Sequence, residues 1–148
     1  MTVPRSALVL GLAGLLPFLW GALTILAPSL GDWAARAVGP RFVGPYVGLA
    51  YGTVILSFMA GALWGFATRA EGRAAAPAYA LAVIPALWAF FMVGGGPETA
   101  TLNLIAGFVA LLGLDWAFWR QGLAPPWWMR LRIGLTVVVV VCLAVGLL

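Results

Sequence analysis

The sequence predicts an all-α integral membrane protein, a bundle of five transmembrane helices, and three observations carry that prediction. Hydrophobic residues make up 64% of the 148-residue chain and charged residues only 8%, against about 25% charged in a soluble domain. Mean hydropathy is +1.09. Five separate runs approach the ~20 apolar residues needed to cross a hydrocarbon core of about 30 Å. Such a chain cannot clothe itself in a water-compatible surface. In lipid its backbone must satisfy its own hydrogen bonds, which continuous runs of this kind do as helices.

The predicted spans are 6–27, 46–67, 77–94, 100–119 and 131–148, forming a single membrane domain over 1–148. The first follows Arg5, but its apolar run exceeds the roughly 7–15 residues of a signal-peptide core. Its exit "LAPS" also lacks a small-x-small site, so the segment is read as an uncleaved helix. Pro17 removes a backbone donor in mid-membrane, as Pro85 does in the third span, and both are expected to kink their helices. Trp20 and Trp88 follow each proline by three residues. "PFLWGA" and "PALWAF" thereby echo one another, either as a parallel duplication of helix pairs or by chance.

The longest connection reads "APSLGDWAARAVGPRFVGP". Asp32 is the expected N-cap of a short interfacial helix through Val38, with Trp33 and Phe42 at headgroup level. A functional lid is the alternative.

In the second span, "VILSFMAGALWG" places Ser57, Gly61 and Gly65 at four-residue intervals, and Gly48 and Gly52 make another such step. Small residues at this spacing let helix backbones approach closely. Helix packing is the expected role; lining a path for a substrate is the alternative. The span carries no charge or carboxamide to hold a polar ligand.

Asp115, in "LGLDWAFWR", is the one ionisable residue inside a span, and an intramembrane carboxylate is a functional candidate by default. It lies about four residues from the helix end, with Arg120, Arg130 and Arg132 placed to approach it. A structural ion pair, a proton-titrating site and a partner contact are the three readings. Asn103 is expected to bond to a neighbouring helix. The turn "FWRQGLAPPWWMRLR" brings Trp119, Arg120, Trp127, Trp128, Arg130 and Arg132 together around Pro125 and Pro126. Indoles and guanidiniums so mixed suit an interfacial belt binding lipid headgroups. Docking of a partner, or of an acidic lipid such as cardiolipin, is the alternative.

All eight basic residues are arginines. Arg5, Arg69, Arg73, Arg120, Arg130 and Arg132 fall on the N-terminal side of a five-span topology, and only Arg36 and Arg41 on the other. The excess places the N-terminus inside and the C-terminus outside. The lysine-free, Ala/Gly/Arg/Pro-rich composition points to a bacterial cytoplasmic (inner) membrane; in a mitochondrion, inside would mean the matrix.

What is missing narrows function further. There is no histidine and no lysine, so haem ligation by paired histidines, an HExxH zinc site, a retinal Schiff base and a serine–histidine protease are all closed. Cys142 is the only cysteine, so no internal disulfide forms. The net charge of +4 is spread over loops and makes no basic face for nucleic acid. No enzyme activity, cofactor or metal is expected.

"LGLAGLLPFLWGAL", "YGTVILSFMAGALWG", "LDWAFW" and "GLAPPWWMRLRIGLTVVVVV" resemble a family of small inner-membrane proteins of unknown function (DUF3429-like) that includes transmembrane protein 69. The likeness runs from about Leu10 to the C-terminus. It implies a multi-span inner-membrane protein without an assigned activity. Relatives often carry a histidine before the tryptophan of the second span, where this chain has Leu63; any proton relay or metal ligation resting on that histidine is absent here. The expected function is a non-catalytic accessory subunit or assembly and stability factor of a larger membrane complex, with lipids and other subunits or self-association as partners. A small transporter or channel for a lipophilic or weakly polar solute, or for protons, is the alternative.

Overall fold

The structure, a computed structural model, describes residues 2–148, and every regular element among them is helical. The first span is two helical segments, α1 (Arg5–Ala13) and α2 (Leu16–Leu26), joined through Gly14 and Leu15, which both keep right-handed helical backbone. The cause is local. Leu15 donates its N–H to the Leu12 carbonyl at 3.0 Å, tightening the turn, and Pro17 has no N–H to offer Ala13. The chain restarts with Pro17 in the first turn of α2, where a missing donor costs nothing. The interruption expected at Pro17 is therefore one tightened turn within a continuous span. Pro85 behaves otherwise: it is buried within an uninterrupted α5 (Ala75–Met92).

The connection after α2 holds α3 (Pro28–Val38). It starts four residues before the expected Asp32 cap, because Pro28, with φ already fixed near the helical value, opens the helix at its first turn. Asp32 lies inside α3 with its side chain exposed. Gly39, at φ +99°, ends it. The segment is stitched onto α2: Trp20 Nε1 donates to the Phe42 carbonyl at 2.7 Å, and the Gly44 N–H donates to Thr24 Oγ1 at 2.8 Å. A Cβ at Gly44 would collide with the Gly21 carbonyl oxygen, so only glycine permits this approach.

Three further membrane-length helices complete the bundle with α5: α4 (Tyr46–Ala67), α6 (Pro97–Arg120) and α7 (Trp128–Val145). Only α4 keeps the predicted bounds. The others begin two or three residues early, since helix starts draw on polar or ring residues that an apolar window trims away: Pro97 and Glu98 open α6, where a carboxylate complements the helix dipole. Counting α1 and α2 together, five spans are long and apolar enough to cross a membrane.

Helices α4 and α6 form the centre, with α5 against both, α2 against α4 and α7, and α7 along α6. Phe18, Leu56, Leu63, Leu104, Phe108 and Leu111 are almost completely enclosed. Lipid is as apolar as these side chains, so their gain is dispersion from close fit rather than release from water. Phe18 sets its ring edge-on to Tyr51 and Phe108, with centroids 5.2 and 6.0 Å apart. By contrast, α1 buries none of its own residues and rests mainly on α7.

The two small-residue steps of α4 do different things. Gly48 and Gly52 face inward; a Cβ at Gly52 would stand 2.5 Å from Leu104 Cδ2. Ser57, Gly61 and Gly65 are exposed, and a Cβ at Gly61 or Gly65 would meet nothing within 4 Å. Ser57 returns its hydroxyl to the Thr53 carbonyl of its own helix at 2.9 Å. As an intrachain packing stripe this expectation is corrected: it lies on the far side of α4 from the core. The glycine that seals the interior is Gly107 of α6, where a Cβ would stand 2.8 Å from both Leu56 Cδ2 and Trp88 Cδ1.

Candidate functional site

Asp115 sits in the last third of α6 and is completely enclosed. Of the three arginines that the sequence placed near it, the structure selects Arg132. Its Nε donates to Asp115 Oδ2 at 2.7 Å, and Trp128 Nε1 donates to Oδ1 at 2.8 Å. Trp128 and Arg132 stand one turn apart on α7 and so share a face. Phe66 of α4 packs edge-on to the Trp128 ring, centroids 4.9 Å apart, which fixes the indole over the carboxylate. The ion pair thus binds α6 to α7 away from water.

This corrects two members of the expected headgroup belt. Arg132 is only 5% exposed and cannot reach a lipid phosphate; Trp128 is half-buried. Trp119, Arg120 and Arg130 are at the surface, and Trp127 is half-buried beside them. Arg120 lies over the Trp116 ring, 5.1 Å from its centroid, and Arg130 is exposed. Trp119 Nε1 donates to the Pro126 carbonyl at 3.2 Å, and Trp127 packs beside Trp128. Arg69 ties the α4–α5 connection to this turn by donating from Nη1 to the Leu123 carbonyl at 3.4 Å. At the other end of α6, Asn103 Nδ2 donates to the Met92 carbonyl at 2.9 Å. Its own carbonyl accepts from Trp88 Nε1 at 2.7 Å.

Beside the ion pair lies a cavity of about 290 Å³, walled by the α1–α2 turn, α4, α6 and α7. Gly11 and Gly14 line it at that turn, with Tyr51 and Met59 of α4, Phe108 of α6 and Arg132 of α7. Leu10 and Phe58 stand at its rim and are exposed on the outside of the bundle. Thr136, one turn after Arg132, also lines it. Two enclosed polar atoms there have no hydrogen-bond partner, Arg132 Nη2 and Thr136 Oγ1. Sequence reading missed Thr136 and Tyr51. The Arg132–Thr136 spacing on an apolar helix was the available signal. Among the described residues no cluster of acidic or sulfur side chains offers a metal site.

Five membrane-length helices around a buried Asp–Arg–Trp cluster define a multi-span membrane protein with its charge locked inside. Residues 3–148 match the family described as "Protein of unknown function (DUF3429)", and the chain belongs to that family. It is 34% identical to Transmembrane protein 69 of Xenopus tropicalis over 98% of its own length. It spans about half of that relative, 54%. No solved structure matches it.

Proposed function

We propose that the protein is a non-catalytic inner-membrane component, an accessory subunit or assembly factor that holds a transmembrane helix of a larger complex. The observation that carries this reading is the outward stripe of α4. Ser57, Gly61 and Gly65 leave a smooth exposed strip, with Val54, Phe58 and Trp64 exposed on the same outer side. In lipid such a strip gains contact only by seating another helix closely. The Trp119, Arg120, Trp127 and Arg130 group at the arginine-rich end is the proposed membrane anchor, suited to acidic phospholipid. Its arginine excess supports an inside N-terminus. A photo-crosslinking amino acid at position 61, compared with position 83 on the exposed face of α5, tests the seat. The reading expects one discrete adduct from 61 and none from 83. Adducts of a second copy of this chain would make it a self-association face, and lipid adducts alone would end the proposal.

A second reading, carriage of a lipophilic solute, is favoured by one observation: the cavity against the tightened turn of the first span. Interrupted helices with internal cavities recur at transporter sites. Solute flux in liposomes that disappears in Asp115→Asn supports it, and silence across a broad solute panel removes it.

A further inference from the structure

Two polar groups on α7 are enclosed without partners beside a space large enough for a ligand. Arg132 and Thr136 are each about 95% buried, and both line the 290 Å³ cavity. A cavity of about 150 Å³ already admits benzene in a protein interior, so this one has room for a substituted ring or an acyl segment. Its remaining lining is mostly apolar. We infer that this cavity is a binding site for a lipophilic molecule that presents a neutral carbonyl oxygen to Arg132 Nη2 and Thr136 Oγ1.

The chemistry of the ligand follows from what is already satisfied. Arg132 Nε is taken by Asp115 Oδ2 at 2.7 Å, and Trp128 Nε1 occupies Oδ1. The carboxylate therefore balances the guanidinium, and the site as a whole is neutral. An anionic headgroup would bring a second negative charge close to Asp115, where low dielectric magnifies repulsion. A neutral acceptor meets no such penalty. The guanidinium offers only donors and the threonine hydroxyl can donate one, so each suits an acceptor oxygen. A buried donor without a partner costs about 1–3 kcal/mol, which a carbonyl oxygen would recover.

Entry has a structural basis in α1. The cavity already opens towards the lipid side between Leu10 and Phe58; the two orphan atoms are closed to water in this conformation, so Arg132 and Thr136 must turn their free donors towards it as a ligand enters. α1 walls this opening, buries no residue of its own, and touches α7 through Gly11 against Leu135. This site does not depend on the α4 stripe, and either proposal can fail while the other stands.

The test titrates the detergent-purified full chain with three probes, read by native mass spectrometry. The probes are a decyl-substituted benzoquinone, dioctanoylglycerol and decylbenzene, which lacks any carbonyl. The expected result is saturation at one molecule per chain for the quinone or the glyceride, and which of the two binds assigns a ring or an ester carbonyl. Decylbenzene binds far more weakly. Thr136→Val removes an unpaired hydroxyl at nearly constant shape; it folds, and it weakens binding about fivefold to tenfold, the value of one hydrogen bond. Thr136→Ser restores it, and Ile55→Trp, which fills the cavity, abolishes it. Equal binding of decylbenzene, an unchanged affinity in Thr136→Val, or no saturable adduct with any probe on the folded protein would each overturn the inference.

Discussion

Asp115 and Arg132 are worth most to the fold when considered as a pair. Removing one partner strands the other charge inside the bundle, and breaking a buried pair in this way costs about 3–5 kcal/mol. Asp115→Ala is predicted to lower unfolding stability by about 3 kcal/mol, measured by denaturant titration in detergent. The double variant Asp115→Leu/Arg132→Met is predicted to recover most of that loss, because no charge is left unbalanced. Arg120→Ala and Arg130→Ala should change stability by less than ~1 kcal/mol, since both guanidiniums are at the surface. That Asp115 needs a partner was legible in the sequence, as a carboxylate in an apolar span. Which arginine supplies it required helix geometry. At 3.6 residues per turn, Arg120 lies about 140° around α6 from Asp115. Arg130 is likewise about 200° around α7 from Arg132. Trp128, four residues before Arg132, lies on its face, and that coincidence is visible only once α7 begins at Trp128 rather than Leu131.

At the scale of elements, the two glycine steps of α4 give opposite predictions. A leucine at Gly52 or Gly107 must displace Leu104, Leu56 or Trp88, and overpacking of this kind costs about 1–3 kcal/mol. Both variants should melt earlier in thermal unfolding. Gly61→Leu and Gly65→Leu meet open space, and each replaces a poor helix former, so the isolated chain should melt no lower than the native one. A fall in Tm for Gly61→Leu alone would mean that the stripe packs within the chain after all. Hydropathy could not separate the two steps: inside the bundle and outside in lipid are both apolar, so a membrane helix carries little of the polar-face signal that orients a soluble one. The prolines were half legible for a similar reason. Pro17 follows Gly14 by less than one turn and the helix is interrupted by a tightened turn; Pro85 follows Leu81, Ala82, Val83 and Ile84 and the helix holds. The matching echo therefore ends in different backbones, although Trp20 and Trp88 each donate to a main-chain carbonyl at 2.7 Å.

For the whole molecule, spans and their number were readable from apolar length, and the arrangement of helices was not. Orientation makes its own prediction: cysteine at position 36, in the exposed part of α3, should react with an impermeant thiol reagent added outside, and cysteine at position 73 should not. Reversed labelling would invert the topology. One outer face of the molecule is left for a partner, where α4 presents its small residues to another helix. Mild-detergent affinity purification from the native membrane, with native protein and Gly61→Leu side by side and companions counted by mass spectrometry, tests this most directly. A near-stoichiometric companion is expected, and Gly61→Leu should lose it while its own melting is unchanged. A protein that purifies alone, or a companion that Gly61→Leu retains in full, would contradict it.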